Sequence, residues 1–450
     1  MSKQPESDQL DASVQQILHL AKQAGAKNAE AILVQSRNTS ISVREGEVEE
    51  VESSESQDLG LRVLIGHRQA CVSTSDLSTS GLAKMAERAV AMAALAPEDP
   101  YCGLASPEQV QTATLDLQLC DPASPDLAQL TERALAAEAA ALAVAGVNLP
   151  ATASASWSTG AVCHRASNGL FRAHCSSFHG ASVMALASDD GGTERDWAQT
   201  GARWLEDIRD PNAIGAEAGQ RAVARLGASK GAGGKLPVLF ERRTAKSLLG
   251  MFLGGITGSS VARGVSFLKD KMGEQVFADN VSILEQPLRL RGSGSGEIDS
   301  EGFQRQEKQL IEQGRLTTWL HNLASARQLQ QQPTAHAATG IGSPPGTRLS
   351  NVYLAAGDKT PEQLIQQTGM GLVVTDAFGA SFNGGTGDWS IGIAGYYFRN
   401  GTRAEPFSEM TVAGNMLDIF KIIVPASDLK FEDSMETPSL LVPELTVAGQ

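Results

Sequence analysis

Leu10, Val14, Ile17, Leu18 and Ala21 recur at three- and four-residue intervals, which predicts an amphipathic helix over residues 9–25 closed by Gly25. Alternation then replaces that period. Residues 29–36, 41–44, 48–55, 59–65 and 69–73 read as strands of a meander, with turns at Glu45-Gly46-Glu47 and Gly66-His67-Arg68. Leu59, Leu61, Val63 and Ile65 alternate with Gly60, Arg62 and Leu64, the mark of a half-buried strand. A second helix is expected from Ser78 or Ser80, with Leu82, Met85, Ala86, Ala89 and Ala93 inward and Lys84, Glu87 and Arg88 outward.

Residues 101–126 turn to Pro, Ser and Asp and read as a connecting segment. Ser124 and Pro125 are expected to cap the next helix, on which Leu127, Leu130, Ala134, Ala137 and Ala141 share a stripe up to Gly146. Strands are expected within 152–188, a short helix over 217–226 and a glycine-rich linker over 227–235. Beyond it, 236–240 reads as a strand and 244–256, apolar nearly all round, as a buried helix. Further strands are expected at 289–290, 316–319, 371–374, 391–398 and 419–424. The fold class is therefore α+β, with an N-terminal α+β domain over 1–115, a middle α+β domain over 116–230 and a β-rich C-terminal domain over 235–450.

Composition removes several functions. The 450 residues carry 37 Lys and Arg against 51 Asp and Glu, a net charge of −14 that opposes binding to nucleic acid or anionic lipid. No apolar run approaches the roughly 18 residues of a membrane span, and the opening residues show neither a signal nor a transit pattern. A cytoplasmic location is the expectation. Five cysteines, none after Cys175, do not form a disulfide framework.

Familiar motifs fail on inspection. Residues 227–235 are not a P-loop, because Ser229 and Leu236 stand where Gly and Ser or Thr are needed. Gly292-Ser-Gly-Ser-Gly296 lacks dinucleotide-binding spacing, and Asn383 replaces the second Gly of a nucleophile elbow around Ser381. No two of the seven histidines stand four apart, which excludes His-Glu-x-x-His. Cys163-His164 and His174-Cys175 could converge across a hairpin as metal ligands; polar residues along a sheet face are the plainer alternative.

One resemblance is specific. Arg263-Gly-Val-Ser-Phe-Leu-Lys-Asp-Lys-Met-Gly-Glu-Gln-Val276, Asp299-Ser-Glu-Gly302, Gly371-Leu-Val-Val-Thr375, Thr386-Gly-Asp-Trp-Ser390 with Asn400-Gly401, and Ser408-Glu-Met-Thr-Val-Ala-Gly-Asn415 resemble the TldD/PmbA family in order and spacing. Ser73-Thr-Ser-Asp-Leu-Ser78 and the elements around it extend the likeness over nearly the whole chain. Within the family the chain is more similar to the PmbA (TldE) branch than to TldD.

The resemblance implies a subunit of a TldD/TldE heterodimeric zinc metallopeptidase that degrades or processes unfolded peptides, including antibiotic precursors and antitoxins. It also implies zinc in the TldD partner, held by a His-Glu-x-x-x-His helix and a C-terminal Cys. Here Leu249, Gly250 and Gly254 stand at the degenerate positions of that helix, so the expectation is no catalytic residue and no metal bound by this chain. Arg263, Asp299, Glu301 and Asp388 are candidates for substrate or partner contact. Two alternatives stay open: an independent metallopeptidase or homodimer using His164, His174 and Cys175, and a non-enzymatic modulator of a partner such as DNA gyrase.

Overall fold

The computed structural model describes the backbone of residues 4–449, with side chains from residue 9; residues 1–3 and 450, where the expectations for the chain ends begin and finish, lie outside the described residues. The N-terminal half comprises α1 (Gln4–Gln23), β1 (Asn28–Arg44), β2 (Glu47–Ile65), β3 (Arg68–Thr74), α2 (Thr79–Leu95), α3 (Leu127–Leu142), β4 (Thr152–Ala166), β5 (Phe171–Asp189), β6 (Gly192–Ala202) and α4 (Pro211–Val223). Four of the short strands expected from alternation merge into two long ones, β1 and β2, and β6 is a strand the pattern did not reveal. All six strands form one antiparallel sheet in the order β3-β2-β1-β4-β5-β6. β1 pairs with both β2 and β4, so a single sheet runs through the regions expected as first and middle domains.

Parity explains how that sheet is covered. Ala29, Ala31 and Leu33 of β1 and Cys163 of β4 pack under α1 and α2. Ile41 and Val43 of β1 and Ala153, Ala155 and Trp157 of β4 pack under α3 and α4. All are odd-numbered, so the helices share one face and leave the even-numbered face for the second half of the chain. The cap of α3 is Asp126 rather than Ser124: its carboxylate accepts the Gln129 N–H at 2.9 Å while the Gln129 side chain accepts the Asp126 N–H at 3.0 Å. α4 starts six residues before the expected 217, because Asp210 caps it and Pro211 pre-sets its first turn. Gly215 lets α4 approach α3, since a Cβ there would lie 2.1 Å from the Ala137 carbonyl oxygen.

The C-terminal half adds β7 (Gly234–Phe240), α5 (Arg242–Gly255), α6 (Gly258–Ala262), β8 (Ile283–Glu285), β9 (Lys308–Glu312), β10 (Arg315–Leu316), α7 (Leu323–Gln328), β11 (Ala337–Ala338), β12 (Gly346–Thr347), β13 (Val352–Leu354), α8 (Pro361–Thr368), β14 (Met370–Phe382), β15 (Asp388–Arg399), β16 (Thr402–Asn415), α9 (Met416–Ile422), β17 (Val424–Pro425), β18 (Met435–Glu436) and β19 (Leu440–Ala448). Strands β16-β15-β14-β7-β19 form a sheet that β16 and β19 close into a barrel by pairing at 411–413 and 446–448. Closure pairs the outermost long strands with each other, while β14 runs on beyond its pairing with β7. The core fills with Phe240, Leu249, Phe252, Phe277 and Phe420; Phe252 and Phe277 meet edge-on at 5.0 Å.

Two expected strands fail. Residues 289–290 form a turn, and 419–424 is mostly α9, where Met416, Ile419 and Phe420 face the core and Asn415 caps the Leu417 N–H. The strand expected at 316–319 is confined to β10, and β16 and β19 were not foreseen.

The connecting segment laces the halves together. The Gln111 N–H donates to the Gly302 carbonyl at 2.8 Å, the Arg291 N–H to Leu117 at 2.9 Å, and Arg327 to the carbonyls of Tyr101, Cys102 and Leu104.

Candidate functional site

Helix α5 turns Leu248, Leu249, Phe252 and Leu253 into the core beside the barrel. Leu249 is 2% exposed, whereas Gly250 is half-buried and Gly254 exposed. A Cβ at Gly254 would meet nothing within 4 Å, and one at Gly250 only the Met435 methyl at 4.0 Å. The outer turn of α5 is therefore bare, and its three motif positions carry no donor atom.

Two loops gather at this end of the helix. The Ser266 hydroxyl donates to the Gly255 carbonyl at 2.6 Å, and the Phe267 N–H to the Gly384 carbonyl at 2.7 Å. Arg263, at the end of α6, and Asp388, at the start of β15, are exposed on these adjoining segments. The Thr386 hydroxyl and the Asn415 amide donate to Asp388 at 2.7 and 3.0 Å and hold its carboxyl below the usual range. Beside them β7 pairs with β14 only at Leu372–Val374. Beyond that point no pairing on the β7 side is found among the described residues, and Phe378 and Phe382 are exposed.

Asp299 and Glu301 lie elsewhere, buried between the two halves. Asp299 accepts N–H bonds from Glu301, Phe303 and Ala337, each at 2.9 Å. Glu301 accepts the Leu323 N–H at 2.7 Å, and burial, reinforced by the Asp299 charge, pushes its carboxyl up to about 8. It stays protonated at neutral pH. Both carboxyls shape loops, so of the four contact candidates Arg263 and Asp388 are the exposed ones.

Near them the even-numbered face of the sheet carries Arg62, bonded to Glu30 at 2.8 Å, with His164 at 3.4 Å from the same carboxylate. Burial opposes the charge on Glu30, but Arg62 and His164 outweigh it and leave its carboxyl lowered. The hairpin register places Arg172 opposite His164 and His174 opposite Val162. Cys163 and Cys175 are odd-numbered and fall on the opposite face from these histidines. His164, His174 and Cys175 are thus not brought together. Among the described residues no three of His, Cys, Asp and Glu are placed to hold one metal ion.

A cavity of about 330 Å³ between α4, α8 and the barrel is lined by Arg221, Arg243, Glu241, Tyr396 and Arg403. Its cations are engaged: Arg243 by Asp196 at 2.6 Å, Arg221 by Glu217 at 2.5 Å, and Arg403 over the Tyr396 ring at 4.1 Å. A different cationic group, Arg172, Arg203, Arg305, Lys308 and Arg348, was missed by the sequence reading because no motif or spacing relates its members.

A helix-backed antiparallel sheet laced to a closed barrel defines a multi-domain α+β protein. Three sequence models, described as PmbA/TldA metallopeptidase domain 1, central domain and C-terminal domain, match residues 29–93, 120–226 and 233–449. The chain belongs to the PmbA/TldD family. It is 34% identical to Metalloprotease PmbA of Escherichia coli O157:H7 over 444 residues, covering 98% of this chain and 96% of that one. Its fold is similar to a crystal structure from Bacteroides thetaiotaomicron named as a modulator of DNA gyrase, with TM-score 0.91, 24% identity, and 98% and 99% of the two chains covered. It is also similar to TldE from Thermococcus kodakarensis, with TM-score 0.83, 17% identity, and 97% and 100% covered. No helix among the described residues is long and apolar enough to cross a membrane.

Proposed function

We propose that this chain is the PmbA/TldE-type subunit of a heterodimeric zinc metallopeptidase, pairing with a TldD-type subunit that carries the zinc and acting on unfolded peptides. The observation that carries this reading is α5. A catalytic zinc needs about three protein ligands and a group to activate its water. Leu249, Gly250 and Gly254 offer none, so these residues do not fit the ion and no hydrolytic step is assigned to them. What the region offers is form: a bare helical turn, two tied loops and the open edge of β14. An extended peptide can add to such an edge through main-chain hydrogen bonds, which requires it to be unfolded.

Co-expression with a TldD-type protein tests this. The expected result is a stable 1:1 complex with zinc in the partner. Absence of a complex contradicts the reading, as does stoichiometric zinc in the isolated chain that is lost on His174→Ala. The name of the Bacteroides structure makes gyrase a useful control bait; capture of gyrase without a TldD-type complex would favour the modulator alternative.

A further inference from the structure

Half of the arginines of this chain form salt bridges among the described residues, and among the others one group is partly buried and crowded together. Arg172 on β5, Arg203 just after β6, Arg305, Lys308 on β9 and Arg348 line the crease where the even-numbered face of the sheet meets the C-terminal loops, and none makes a salt bridge among the described residues. Hydrogen bonds to neutral groups locate them. Arg172 donates to the Ser300 hydroxyl at 3.4 Å, Arg203 to the carbonyls of Ser177 at 3.2 Å and Ser293 at 2.6 Å, and Lys308 to the Thr334 carbonyl at 2.9 Å. The main chain of Arg305 is bonded to Glu297, and that of Arg348 to His336.

Asp299 and Glu285 offset part of the crowding on Arg172, Arg305 and Lys308, but neither forms a salt bridge with them among the described residues. Asp299 is spent on three backbone N–H groups. Against the upward push of burial, His336 and Ser350 hold Glu285 down at about 2, and they occupy its oxygens. Glu301 is protonated at neutral pH.

A second observation points the same way. Among the described residues the Nε atoms of Arg203 and Arg305 are buried without a hydrogen-bond partner, leaving donor capacity that a water or an anion could take up. The crowding is felt: burial, with Arg305 adding and Asp299 opposing, pushes Arg172 down to about 10. A chain of net charge −14 has ample carboxylates to pair such cations, yet here it leaves them open.

We propose that the crease is an anion-binding subsite that takes the carboxylates of an extended peptide, so that this subunit selects for acidic segments or for a free C-terminus. Several partly buried guanidinium groups, wetted but crowded by protein, bind a carboxylate more strongly than surface lysines do, and they attract it from a distance against the repulsion of the acidic remainder. The choice of a peptide as carrier rests on the peptidase-subunit reading. Binding is read on this chain alone, so failure of the heterodimer and failure of the subsite are separable.

The test is anisotropy of peptides carrying an uncharged dye, with the full chain. Three peptides are compared: one rich in Asp and Glu, its Asn and Gln counterpart with a free C-terminus, and the same counterpart amidated. The acidic peptide is expected to bind at least about tenfold more tightly than the amidated neutral one, a difference of about 1.4 kcal/mol. Tight binding of the free-terminus peptide as well would identify the terminal carboxylate as a ligand. Arg305→Gln with Arg348→Gln should abolish the preference at unchanged melting temperature, while Arg37→Gln on the exposed β1–β2 ribbon keeps it. If the double variant fails to fold, the wild-type preference should still collapse between about 0.05 and 0.5 M salt. Equal binding of acidic and amidated peptides, a preference that survives the substitutions or the salt, or tighter binding of a single-stranded oligonucleotide would overturn the proposal.

Discussion

The end of α5 and the crease between the halves are opposites. On α5, Leu249, Gly250 and Gly254 carry no side-chain atom that could ligate a metal, and the outer turn is bare. In the crease, donors and charges are plentiful but no motif announces them, because Arg172, Arg203, Arg305 and Arg348 come from separate segments. Local spacing therefore shows at a glance what a helix turn lacks, whereas charges gathered by tertiary packing stay hidden from it.

Charge removal in the interlayer should cause the largest effect. Arg62→Met strips the buried Glu30 of its partner at 2.8 Å, and stability in denaturant should fall by about 3–5 kcal/mol. Adding Glu30→Gln should restore a good part of it. A loss below about 1 kcal/mol would mean that the interlayer is organised by packing, as α5 is.

Glu301 sharpens the contrast through pH. Its folded carboxyl is raised from 4.5 to about 8, so across that window the folded state holds a proton that the unfolded state has released. Its contribution is fully present below 4.5 and is lost as pH rises through about 8, at roughly 1.4 kcal/mol for each pH unit crossed between the two. Glu301→Gln keeps an acceptor for the Leu323 N–H but cannot titrate. The fall in stability between pH 5 and pH 8 should be clearly smaller in the variant; equal slopes would contradict the assignment.

The α5 end should answer only to shape. Gly255→Ala places a Cβ 2.8 Å from the Phe267 ring and should cost about 1–3 kcal/mol. Gly254→Ala meets open space and should stabilise the isolated chain by about 0.5–1 kcal/mol. A loss at Gly254 would show that its bareness serves the fold of this chain rather than clearance for something outside it.

These sites also mark how far the sequence could be followed. Strand alternation and the stripe of α2 were legible because local period reports burial directly: Leu82, Met85, Ala86, Ala89 and Ala93 are all buried. The α9 segment was misread since Ile419, Phe420, Ile422 and Ile423 satisfy a strand as readily as a helix until the Asn415 cap is noticed. The barrel closure between β16 and β19 depends on pairing across more than thirty residues, which no local pattern encodes. Arg263 and Asp388 were found through motifs and are exposed; Asp299 and Glu301 came from the same motifs but serve the loops within.

The most direct measurement is cleavage of an unfolded fluorogenic peptide by this chain, by a TldD-type partner and by the two mixed, with zinc quantified in each sample. The account predicts no cleavage by this chain, cleavage by the mixture, and zinc that follows the partner. Cleavage and stoichiometric zinc in this chain alone would contradict it.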